Sequence, residues 1–200
     1  MDVIRTLDPV AKRTAIMAAA ETLFASRGFS KTTMANIATK ADVAVGSLYR
    51  AFPDKLALLS ALHDAMEQRF VDAILQNWAI EQPAEARFRR MIEAIMDQTV
   101  AVQSSMPLYM QTRDLVSSGG QEPGVRTVAV IAELYEAGIV RGEFIAMRPS
   151  MAAAIGHGIV EGGMRDWMKH GGQVADLQAA VDTMSSCFAR AFVVMTTSQN

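Results

Sequence analysis

The 200-residue chain is short of several things, and each shortage removes a class of protein. Its one cysteine, Cys187, precludes an internal disulfide framework and fits a reducing compartment. No apolar run approaches the roughly 18 residues of a membrane span. The opening stretch MDVIRTLDPVAKRTA holds no apolar core of the kind a signal peptide needs. The expected location is therefore the cytoplasm, with no membrane partner. The three histidines have no metal-ligand spacing with cysteine or acid. P-loop, dinucleotide fingerprint and nucleophile elbow are all missing. No metal, cofactor or catalytic residue is expected, since acid–base candidates such as His157, Glu161 and Asp166 stand at no diagnostic spacing. A net charge of −2 and a pI near 5.9 exclude a strongly basic architectural DNA protein.

Strand-like alternation is also scarce, whereas alanine and methionine, both good helix formers, abound. The pattern predicts an all-α fold of about nine helices without a sheet. Asp8-Pro9 reads as a helix start. Ile16, Ala19, Ala20, Leu23 and Phe24 then follow at the spacing of one buried face, and Gly28 supplies a stop. Thr33 caps a short second helix carrying Met34, Ile37 and Ala38. Ala41 to Ala44 separate it from a third short helix, Val45 to Arg50. Asp54 caps a long fourth helix from Lys55 to Trp78. Further helices are predicted near 84–103, 107–117, 123–138, 149–169 and 174–196.

Charge is unevenly spread. Residues 1–60 hold eight bases against five acids, and the rest hold eleven against sixteen. A mildly basic head on an acidic body suits a DNA reader. Two short helices joined by a tight turn, braced by a preceding helix, form a helix-turn-helix, whose second helix enters the major groove. That helix reads Val45-Gly46-Ser47-Leu48-Tyr49-Arg50, with Leu48 facing inward. Gly46 lets the backbone approach DNA closely, at a cost of about 1 kcal/mol against alanine. Ser47 can meet a base edge or phosphate, and the Tyr49 phenol can donate to phosphate. Lys55 sits where the helix dipole disfavours a cation, which a bound phosphate would explain. Thr32 and Thr33 offer a similar amide-and-hydroxyl site. Arg27, Lys31 and Arg50 are either phosphate contacts or solvated charges.

The stretch from Ile16 to Leu58 (Ile16, Ala19, Ala20, Leu23, Phe24, Gly28, Phe29, Thr32, Thr33, Ile37, Ala38, Ala41, Val43, Gly46, Ser47, Leu48, Tyr49, Phe52, Lys55, Leu58) closely resembles the N-terminal signature of the tetracycline-repressor (TetR) family. Three positions depart from it. Asp42 replaces the usual turn glycine, Ala44 the frequent capping serine, and Asn36 the usual capping-box acid. The resemblance implies a helix-turn-helix DNA-binding domain over 1–53 and a ligand-binding and dimerisation domain over 54–200. It implies DNA contacts at Thr32, Thr33, Ala44, Val45, Gly46, Ser47, Tyr49, Arg50 and Lys55. It further implies a repressor that binds a pseudo-palindromic operator as a homodimer and leaves it on binding a small, mostly apolar effector.

The body is rich in methionine, a side chain that adapts to irregular cavities. Tyr109, Met110 and Arg113 share one helix face. Met66, Phe70, Met96, Tyr109, Met110, Arg113, His157 and Trp167 are the candidate effector contacts; taken one by one, a core role explains each residue better. His157 is open to three readings: ligand anchor, partnered core histidine or interface residue. Small residues (Ala152, Ala153, Ala154, Gly156, Gly158) and the apolar face of the last helix suggest a two-fold four-helix interface through the last two helices.

Overall fold

The computed structural model describes residues 8–120 and 122–194. Within them the chain forms nine α-helices and no strand, apart from an isolated antiparallel bridge between Phe144 and Val193. The helices are α1 (Pro9–Arg27), α2 (Met34–Lys40), α3 (Val45–Ala51), α4 (Lys55–Asn77), α5 (Ala84–Ala101), α6 (Met106–Ser118), α7 (Val125–Val140), α8 (Pro149–Lys169) and α9 (Val174–Phe192). The predicted last helix overshoots. Val193 turns extended and bridges to Phe144, and residues 195–196 lie outside the described residues, as do residues 1–7 of the predicted DNA-binding domain.

The fold divides into two units. The first takes the chain up to Met66 together with Ser104–Pro123, and the second takes Glu67–Gln103 and everything from Gly124 on. The predicted boundary after residue 53 thus falls inside the first unit, because α4 begins there and ends in the second.

In the first unit α1 buries the face its periodicity marks: Ile16, Ala19, Ala20, Leu23 and Phe24. Asp8 stands at the cap position but its side chain makes no cap bond; its carbonyl accepts from the Lys12 amide at 2.9 Å. Gly28, at φ 84°, closes the helix by donating its amide to the Phe24 carbonyl at 2.9 Å. Asp54 does cap α4, its carboxylate accepting from the Ala57 amide at 2.7 Å. α6 packs on α1, and the Tyr109 hydroxyl donates to the Glu21 carboxylate at 3.1 Å. The His63 ring lies edge-on to Tyr109, with Nε2 2.9 Å from the Thr112 hydroxyl.

In the second unit α9 packs on α5 and α8, and α7 on α8. Phe88 stands among four rings: Trp78, Phe144, Phe188 and Phe192, at centroid distances of 5.5, 5.1, 5.1 and 6.2 Å. A Cβ on Gly138 would fall within the Phe144 ring, so only glycine permits this approach. Arg87 is fully buried beside this cluster. Its Nη2 lies 2.7 Å from Glu143 Oε2, and Arg141 Nε lies 2.9 Å from the same oxygen.

Burial pushes the Glu143 carboxyl up, but the hydrogen bonds and charges of Arg87 and Arg141 outweigh it and hold the group below its ordinary value. A depressed folded-state pKa contributes stability above the unfolded value, and that contribution is lost as pH falls through the folded one. Glu143→Gln should therefore lower stability at neutral pH and flatten its decline into acid. Urea unfolding across that range checks this; an acid limb with unchanged slope would remove Glu143 from the account.

Candidate nucleic-acid interface

α2 begins at an extended Thr33 whose hydroxyl accepts from the Asn36 amide at 3.1 Å. Asn36 Oδ1 accepts in return from the Thr33 amide at 3.2 Å, so the amide side chain completes the box that an acid usually forms. The turn needs one left-handed residue, and Asp42 supplies it at φ 53°. The Val43 amide then donates back to the Ala38 carbonyl at 3.0 Å. α3 starts at Ala44, which is extended and offers no side-chain cap.

Leu48 is fully buried and pins α3 to the unit's core. The rotation this fixes turns Val45 (45 % exposed), Gly46 and Tyr49 (50 % exposed) to the outside. Nothing lies within 4 Å of the place a Gly46 Cβ would occupy. No neighbour in the chain therefore demands glycine there, and the helix would be stronger with alanine. Ser47 accepts from Arg50 Nη2 at 2.9 Å, so these two side chains of α3 are prepositioned together. Arg13 braces the end of α3: its guanidinium lies 4.2 Å from the Phe52 ring centroid and donates to the Ala51 carbonyl at 3.3 Å.

Two nominated residues have other occupations. Thr32 is buried, and its hydroxyl donates to the Gly28 carbonyl at 2.9 Å rather than facing solvent. Lys55 Nζ donates to the carbonyls of Phe29 and Thr32 at 2.7 and 2.9 Å, and lies 4.3 Å from the Phe29 ring centroid. The cation that the helix dipole disfavours is compensated by carbonyl oxygens of the α1–α2 connection. In the free protein both side chains hold that connection. Of the other nominated residues, Thr33, Ala44, Val45, Gly46, Tyr49 and Arg50 are exposed and Ser47 is half-buried.

Lys55→Ala should accordingly cost about 2 kcal/mol in stability, the order expected for hydrogen bonds from a charged donor. It should leave the salt dependence of DNA binding unchanged. Urea unfolding and a salt titration measure the two; a slope lower by about one would restore Lys55 to the phosphate contacts.

The eight nominated effector residues do not converge within one unit. Met66 and Tyr109 are buried in the first, where Met110 and Arg113 are half-buried and Arg113 donates to the Pro123 carbonyl at 3.3 Å. Met96 and Trp167 are buried in the second, the Trp167 indole donating to the Gln173 carbonyl at 3.0 Å. Phe70 and His157 are half-buried there, His157 Nδ1 lying 3.6 Å from a Glu161 oxygen. A small apolar void of about 10 Å³ opens in the second unit between Trp78, Phe88, Met91, Tyr135, Phe188 and Phe192. Sequence reasoning also passed over Arg13, His63 and Arg87. For Arg87 a signal existed: it is in phase with Met91 and Ile95 on the buried face of α5.

Residues 16–62 match the family model of bacterial regulatory proteins, tetR family. No curated protein matches the chain. Among solved structures, the chain is similar to a protein from Shewanella sp. PV-4 assigned to the tetR family of transcription regulators. The two are 24 % identical, with 92 % of this chain and 99 % of that one covered at a TM-score of 0.73. The fatty acid degradation regulator FadR from Bacillus halodurans is 21 % identical, with 88 % and 94 % covered and a TM-score of 0.75. SmeT, the repressor of the Stenotrophomonas maltophilia multidrug efflux pump SmeDEF, is 16 % identical, with 94 % of both chains covered and a TM-score of 0.70. At these identities the likeness speaks to the fold, which is the all-helical one with an N-terminal helix-turn-helix.

Proposed function

We propose that the chain is a ligand-responsive transcription regulator of the tetR family, a repressor rather than an enzyme, acting in the cytoplasm. The observation that carries this reading is the outer face of α3, where Val45, Gly46 and Tyr49 stand exposed over a helix pinned by Leu48. The functional division runs between residues 1–53, which bind DNA, and 54–200, which bind effector and dimerise. A homodimer through α8 and α9 is supported by what their outer faces carry. Ile155 is exposed, a Cβ on Gly158 or Gly162 would meet nothing within 4 Å, and Ala179 is exposed. Such small-residue surfaces let helices of a second copy approach closely. Two α3 helices then enter successive major grooves of a pseudo-palindrome. An apolar effector is supported by the buried methionines of the second unit and by the likeness to SmeT, which has also been solved with triclosan. The effector acts through its different affinity for the DNA-bound and free states.

Selection from a random duplex library at physiological salt, followed by fluorescence anisotropy on the enriched pool, tests the reading. The expected result is a pseudo-palindrome with half-sites about one helical turn apart. Weak binding without enrichment, abolished by moderate salt, would overturn it.

A further inference from the structure

Arg87 is the least expected residue of the second unit. A charged side chain is seldom fully buried unless it is paired and its donors are used. Arg87 has no exposure at all, and among the described residues its Nε and Nη1 make no hydrogen bond. Among the described residues its ion-pair partner is Glu143, and that carboxylate is shared with Arg141. Two guanidinium groups thus meet one carboxylate, leaving the cluster one positive charge in excess. A purely structural pair would balance its charges and use its donors, because unmade donors are costly in a low-dielectric interior.

The surroundings describe what is missing. The guanidinium lies 5.2 Å from the Trp78 ring centroid and 5.8 Å from that of Phe144. Trp78 is also a wall of the small void, together with Phe88, Tyr135 and Phe188. A cation with spare N–H groups therefore stands against the Trp78 ring that walls an aromatic slot, without lining the slot itself. The forked geometry of a guanidinium matches a carboxylate, which accepts two parallel N–H bonds. The aromatic rings around the void suit a planar apolar body. At about 10 Å³ the void holds no more than a water, so such a body enters by separating its aromatic walls.

We propose that Arg87 is the anion anchor of an effector site in the second unit, which takes a carboxylate on an aromatic or similarly compact apolar body. This names the chemistry of the effector in the regulator reading and rests on that reading only for its regulatory consequence. Glu143 is then the internal competitor for the anchor. The ligand carboxylate takes up the Arg87 donors left over by Glu143 and balances the charge of the cluster.

The test uses the full chain and three probes of one shape: 3-phenylpropionate, 3-phenylpropanol and 3-phenylpropylamine. Thermal unfolding and tryptophan fluorescence, which Trp78 reports at the wall of the slot, read the binding. The carboxylate should raise the melting temperature and shift the fluorescence at concentrations where the alcohol and amine do neither. Glu143→Gln removes the competitor and should tighten carboxylate binding about tenfold, a gain that loss of folding cannot imitate. Arg87→Met should abolish the preference for the carboxylate; if that variant does not fold, the probe series and Glu143→Gln decide alone. Equal responses to carboxylate and alcohol, or no response to either, overturn the proposal, and so does carboxylate binding that Glu143→Gln leaves unchanged. Operator binding measured on the same preparation separates the two readings: a protein that selects its operator yet ignores the carboxylate loses this inference alone.

Discussion

Gly46→Leu is expected to reduce operator affinity by about a hundredfold or more while leaving the protein as stable as before or slightly more so. The two halves of this expectation come from one observation: a side chain at residue 46 meets empty space in the free protein. Leucine therefore clashes with nothing internal. It also regains up to about 1 kcal/mol of helix propensity that glycine forgoes. In the complex the same space belongs to DNA, and a branched side chain holds the α3 backbone off the groove floor. Specific contacts from Ser47 and Tyr49 then fail together, since both depend on that approach. Anisotropy on the selected operator gives the affinity and urea unfolding the stability. A variant that binds normally would show that α3 does not enter the groove by this face. One that loses both binding and stability would show that Gly46 has a packing role after all.

The residues of α3 also show how much was legible in the sequence. The inward Leu48, the outward Gly46 and Tyr49, and the left-handed Asp42 all follow from period and local backbone chemistry, and all are in the structure as read. Such features need only a few neighbouring residues to specify them. Lys55 shows where this kind of inference stops. The helix dipole demands an electronegative partner for this cation, and carbonyls 26 and 23 residues away, placed there by the turn between α1 and α2, supply it in the free protein. Asn36 is a milder case. Its amide oxygen performs the acid's task in the capping box, so the departure from the signature is chemical and not structural. The end of α9 was misplaced because the bridge to Phe144, a partner 49 residues earlier, stops the helix, and no residue near Val193 announces it. Arg87 was legible in principle, as a charge on an apolar face. Its meaning depends on Glu143 and Arg141, which only the tertiary fold brings to it.

The same aromatic cluster sets the largest stability effect expected of a single residue. Phe88→Ala should cost about 3–5 kcal/mol, a large part of the 5–15 kcal/mol that holds a typical domain together. Phe88 is buried and touches rings from three separate parts of the second unit: Trp78 just after α4, Phe144 before α8, and Phe188 and Phe192 on α9. Removing it deletes the transfer term for one ring and four ring–ring contacts at once. The hole left behind adjoins the void already present, so the cavity term is added to an existing defect. The surrounding rings are large and rigid and collapse poorly into such a space. Phe88→Leu, which keeps most of the volume, should recover more than half of the loss. Urea unfolding of the two variants provides the comparison. Costs that are small, or equal for alanine and leucine, would mean that the α5–α9 contact and not the ring cluster carries the unit. Costs in the expected order would locate the stability of the body where the proposed anion anchor also lies, so that a ligand entering the slot would act on the part of the fold with most to gain from being filled.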